Sequence, residues 1–199
     1  MKNYFLFSIK ETPSIASAYA PEETPLAHEL IQQIDQSDEL PFELELFKLS
    51  SGKTGLMKST YLADLQNIWL DYQPNSLAWP LFSERLKEIF SRNLSGLEGL
   101  DWIKVRINGN DEQRVYFIPR FERKLDVIDE NKTKYITGTD RIIVPHFSSI
   151  KIDKLAVFHK PQAHDFWKIT PELYVSDDLK KAIQKERIKG VSFEKVIVV

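Results

Sequence analysis

Trp102-Ile103-Lys104-Val105-Arg106-Ile107 alternates apolar and charged side chains, runs into Asn108-Gly109-Asn110-Asp111, and returns as Arg114-Val115-Tyr116-Phe117-Ile118. A period of two belongs to a strand with one face against a core. Asn-Gly is a strong hairpin signal, because its residues accept positive φ. The stretch therefore predicts two antiparallel strands joined by a tight turn. A doubly wound parallel sheet needs helical crossovers throughout, and the gaps between helical patterns in this chain are long. The fold class read from it is α+β: a mostly antiparallel sheet with several helices.

Upstream, Pro80 to Phe90 has helical spacing, with Leu81, Phe82, Leu86, Ile89 and Phe90 as its apolar stripe. Phe42 to Leu49 alternates and reads as a strand. Ser50 to Gly55 reads as a turn, and Tyr61 to Trp69 as a strand or short helix. Leu26, Leu30, Ile31 and Ile34 give a helix entered at Pro25. Thr12 to Thr24, rich in Pro, Ser and Ala, reads as a loop. Tyr4 to Ile9 reads as a first strand; it is too short and too soon charged for a signal peptide. Downstream, Leu125–Ile128, Ile142–Val144 and Leu155–Phe158 suggest short strands, punctuated by Pro145, Pro161 and Pro171. Leu173–Val175 (strand), Ser176–Arg187 (helix), Gly190 (stop) and Val191–Val199 (strand) close the chain.

One unit occurs twice in outline. Ser83-Glu84-Arg85-Leu86 and Ser176-Asp177-Asp178-Leu179 each follow an apolar lead and precede a later strand. A serine Oγ can accept an orphan N–H at a helix start, and acids suit the positive helix end. The two are either independent capped helices or a pseudo-repeated helix–strand unit. Either way the serines are caps, not nucleophiles.

At 199 residues, 42% hydrophobic and 28% charged, the chain suits a single globular domain, 1–199. Its net charge of −2 gives no basic surplus for nucleic-acid phosphates. With no cysteine there is no disulfide, thiolate nucleophile or Cys-bound zinc. No apolar run approaches a spanning helix, so the expected location is the cytoplasm.

Several motifs resemble active sites and fall short. Ser51-Gly52-Lys53-Thr54 ends like a phosphate loop, but Phe47 stands where the first glycine belongs. His28, His146, His159 and His164 lack zinc-site spacing. No Gly-x-Ser-x-Gly elbow is present. Glu122-Arg123-Lys124, with Asp101 or Asp111, could form a metal-dependent hydrolase or nuclease site using Glu122 and Lys124. Trp69, Trp79, Trp102 and Trp167 keep apolar company and read as core.

Three ordered blocks resemble a known family. They are Leu70-Asp71-Tyr72-Gln73-Pro74 through Trp79-Pro80-Leu81-Phe82-Ser83-Glu84-Arg85-Leu86; Leu125-Asp126-Val127-Ile128-Asp129; and Asp165-Phe166-Trp167-Lys168-Ile169 with Tyr174-Val175-Ser176-Asp177-Asp178-Leu179 and Gly190-Val191-Ser192-Phe193. In this order they resemble immunity proteins of bacterial polymorphic toxin systems, in the family numbered eleven and its relative numbered forty-three. The resemblance covers residues 65–199; residues 1–64 carry none. Phe166-Trp167 departs from the Phe-Arg of the family pattern. The resemblance implies an antidote protein, not an enzyme and without cofactor or metal. It would bind a toxin or effector domain in the cytoplasm and occlude it stoichiometrically. It implies neither a nucleic-acid nor a membrane partner. Asp71, Tyr72, Asp126, Asp129 and Asp165 are the expected partner-binding residues, as acids beside aromatic anchors. A non-catalytic adaptor domain is the other reading of the same features.

Overall fold

The computed structural model describes residues 2–10, 15–35, 37–52, 55–162 and 164–199. These form four helices and twelve strands, an α+β fold dominated by antiparallel sheet. Lys53 and Thr54 of the phosphate-loop-like segment lie outside the described residues, as do positions 12–14 of the expected N-terminal loop.

The deciding hairpin is β6 (Leu100–Gly109) and β7 (Glu112–Phe121), paired along its whole length. Its turn is Asn110-Asp111, two positions beyond Asn108-Gly109. Both residues have positive φ, 53° and 59°. Asn and Asp tolerate that conformation, and such a turn matches strand twist. One face of the ribbon buries Ile103, Val105, Ile107, Tyr116 and Ile118. They pack against Leu30 and Ile31 of α1 (Ala27–Gln33), Ile34 at its C-cap, and Leu44 and Leu46 of β3 (Leu44–Gly52). At the Leu100 end the opposite face turns Trp102 and Phe121 towards a second core.

The sheet order is β2 (Ala16–Tyr19), β3, β6, β7, β5 (Phe82–Ser83), with β4 (Gly55–Ser59) hairpinned onto β3. β3 and β6 pair in parallel. A second, antiparallel sheet runs β10 (Val157–His159), β11 (Leu173–Ser176), β1 (Tyr4–Ile9), β12 (Val191–Lys195). β8 (Lys134–Tyr135) and β9 (Ile142–Val144) form a separate two-stranded ribbon, followed by α3 (Ser149–Ile152).

The two serine-capped helices belong to units of the same topology. α2 (Glu84–Asn93) links β5 to β6, which flank β7 and are both antiparallel to it. α4 (Asp177–Lys185) links β11 to β12, which flank β1 and are both antiparallel to it. Each is a β-α-β unit split by one antiparallel strand, and α2 packs against α4. Ser83 Oγ accepts from Leu86 N–H and Ser176 Oγ from Leu179 N–H, both at 3.3 Å. Phe7 of β1 joins the units. Its ring lies 5.3–5.7 Å from those of Tyr72, Phe82, Phe90 and Phe193.

Local expectations shift in four places. The expected loop contains β2, which pairs antiparallel with β3 and sets Ala18 beside Leu46 in the core. Leu81 and Phe82 are extended rather than helical, because Ser83 starts the helix and Gln73 N–H bonds Leu81 C=O. Tyr61–Trp69 forms turns: Leu62 and Leu65 reach the core without a regular element. Gln73, wholly buried, bonds Leu70 N–H and Ala16 C=O just beyond it. Leu125–Ile128 makes a single bridge, Ile128 to Phe147, instead of a strand. Among the described residues no helix is long and apolar enough to cross a membrane.

Candidate partner-binding surface

Both carboxylate oxygens of Asp71 are bonded within the chain. Its Oδ1 accepts from Ser83 Oγ at 2.8 Å, and its Oδ2 from Lys189 N–H at 2.8 Å. It thus clamps the cap of α2 to the loop after α4. Tyr72, 3% exposed, stacks on Phe7 inside the core, and burial pushes its phenol above the usual range. The loop is closed by Gly190 at φ +81°, where a Cβ would stand 2.8 Å from Tyr72 O. Asp71 and Tyr72 thus both sit at the junction of the two units.

Asp126 and Asp129 fall together, at the base of the β8–β9 ribbon. Asp129 N–H bonds His146 C=O at 2.8 Å, and its Oδ1 accepts from Asn131 and Lys132 N–H. Such a turn is a common use of Asp. The Asp126 side chain is 77% exposed and takes a 2.8 Å ion pair from Lys151 Nζ. That hydrogen bond holds the Lys151 ammonium above its usual range. Asp126 lines a groove of about 890 Å³ beneath the ribbon, with Leu125, Tyr135, Ile142, Pro161 and Glu172 among its walls. Tyr135, Ile136 and Ile143 of the ribbon are exposed.

Asp165 occupies another place. It opens a 3-10 turn, His164–Trp167, 3.9 Å from Lys168 Nζ, which Asp35 holds at 2.6 Å. It lines a pocket of about 510 Å³ with His28 and Ile31 of α1 and Phe166. This pocket and the groove at Asp126 share no lining residue.

Of the hydrolase candidates, Asp101 is taken up by an ion pair and Asp111 lies far from Glu122. Asp101 pairs with Arg120, whose Nη1 also caps α1 through Ile34 C=O at 2.7 Å. Asp111 is at the hairpin tip, eleven residues along the chain from Glu122, roughly 35 Å at strand rise. Among the described residues no three His, Asp or Glu side chains are placed to hold a metal ion. Ser83 and Ser176 are caps, as their sequence context predicts. Trp79 is buried, while Trp69, Trp102 and Trp167 are partly buried against the cores.

One signal in the sequence bears on partners and escapes a whole-chain reading. Residues 1–51 hold nine Asp and Glu against three Lys, a net −6; residues 52–199 hold 24 Lys and Arg against 20 Asp and Glu, a net +4. Within the acidic part Glu22, Glu23, Glu29, Glu43 and Glu45 are exposed.

These residues make an α+β protein in which Asp126 and Asp165 line separate surface cavities. A profile of the Immunity protein family (Imm11) matches residues 52–198, and the chain belongs to that family. The match begins at residue 52, upstream of residue 65 where the resemblance is expected to start. No curated protein matches the chain significantly.

Proposed function

We propose that the chain is an antidote that binds a toxin or effector domain one-to-one and occludes it. It acts in the cytoplasm of the producing cell, without catalysis or cofactor. The observation that carries this reading is family membership over residues 52–198. The acidic N-terminal part supports it, because an acidic surface speeds encounter with a basic partner. The β8–β9 ribbon supports it too. A short two-stranded ribbon is marginal alone, and its exposed Tyr135, Ile136 and Ile143 suit a covering protein.

On this reading Asp126, Asp129 and Asp165 meet the partner, while Asp71 and Tyr72 serve the fold. Residues 1–199 act as one domain, since β1 completes the sheet of β11 and β12. The test is co-expression with the toxin-like gene adjacent to this one. The expected outcome is that the neighbour arrests growth and this chain restores it. A toxic neighbour that is not rescued, with both proteins soluble, contradicts the proposal.

A further inference from the structure

His159 is wholly buried at the end of β10 and belongs to no site described above. Its ring lies 4.7 Å from that of Phe121, edge-on, and 5.9 Å from that of Trp167. Leu125 N–H donates to its Nε2 at 3.2 Å. Its Nδ1 lies 3.0 Å from Lys160 C=O, which can only accept. Together these bonds require a neutral ring carrying its proton on Nδ1. Leu125 belongs to residues 122–126, the segment that leaves β7 and forms the groove wall at Lys124, Leu125 and Asp126.

We infer that His159 is an acid-sensitive latch on this groove: a proton on Nε2 makes it a donor facing Leu125 N–H, and the wall detaches from β10. The charged groups on the surrounding elements are Glu122, Arg123, Lys124 and Asp126 on the wall, Lys160 and Glu172 at the ends of β10 and β11, Asp165 on the 3-10 turn and Lys168 just after it. Glu172 is taken up by Lys160 at 3.2 Å, and Asp165 faces Lys168. Burial holds the imidazole below its usual range and the Lys124 charge pushes the same way, outweighing the Lys160 and Arg123 backbone hydrogen bonds, which favour the protonated ring. A group depressed in the folded state stabilises it above the unfolded pKa, about 6.5 for His. The tie is therefore complete above that pH and is lost as pH falls towards the lowered folded value. The latch does not depend on the antidote reading, since the free protein reports it.

The experiment is amide hydrogen exchange on the free protein at pH 7.5 and 5.0, corrected for intrinsic rates. Leu125 protection is expected to fall at least tenfold while amides of β1 keep theirs. His159→Gln, which can accept and donate but not titrate, should make Leu125 protection independent of pH. If that variant does not fold, imidazole nitrogen shifts of the unaltered protein serve instead: the Nδ1-protonated ring should titrate together with the Leu125 loss. Leu125 protection that stays level, that falls only with the whole sheet, or that still falls in His159→Gln overturns the latch. A ring titrating apart from the Leu125 loss overturns it as well.

Discussion

The two split β-α-β units share a topology but complete it differently. The strand that divides β5 from β6 is β7, the next strand in sequence, reached by a two-residue turn. The strand that divides β11 from β12 is β1, from the far end of the chain, pairing Tyr4 with Ser176. One unit closes locally; the other pays the loop-closure entropy of nearly the whole chain before it gains contacts. The family match, 52–198, contains all of the first unit but lacks the central strand of the second. The N-terminal residues, which carry no recognised motif, are thus needed by a unit that does.

The comparison makes its strongest demand on β1. Removing residues 1–10 leaves β11 and β12 without their shared neighbour. It should abolish cooperative unfolding, read by circular dichroism, although the family-matched segment stays intact. A truncated chain that melts cooperatively breaks the comparison. Phe7→Ala is the milder version. It empties a site among four aromatic rings from both units and should cost about 3–5 kcal/mol in denaturant unfolding.

Asp71→Ala strips the acceptor from the Ser83 hydroxyl and the Lys189 amide, and should cost about 1–3 kcal/mol. The caps sharpen the point. Ser83→Ala and Ser176→Ala should each cost about 1 kcal/mol. In double-mutant cycles Asp71→Ala should couple with Ser83→Ala, which it touches, and add simply to Ser176→Ala. Equal coupling to both caps contradicts a clamp specific to the first helix. The smallest effect belongs to the surface. Asp126→Lys with Asp129→Lys should slow association with the toxin domain about 3–10-fold at low salt, an effect that shrinks as salt rises. Association kinetics that do not change remove this rim from the interface.

Where neighbours in sequence are neighbours in space, the pattern was readable. The β6 alternation gives its core face, Ile103, Val105 and Ile107, and Ser83 and Ser176 announce their helices. The strand pairing of β1 is not readable, because nothing in Tyr4–Ile9 specifies a partner at residues 173–176 or 191–195. Tyr61–Trp69 misleads because Leu62 and Leu65 mark burial without a regular backbone behind them. Among the acids, Asp71 and Asp126 look alike in sequence, each beside apolar residues. Only the fold separates a carboxylate holding two donors at a junction from one on an open rim. The charge contrast between residues 1–51 and 52–199 was legible, but it vanishes in the whole-chain net of −2.

The most direct test of the antidote reading is a titration of the purified toxin domain's activity with this protein. The account predicts a linear fall to zero at one equivalent, with a one-to-one complex recovered by gel filtration. Complete loss at far less than one equivalent would mean that the chain acts catalytically. Full activity at excess would mean that it does not neutralise this toxin at all. Either result contradicts inhibition by stoichiometric occlusion.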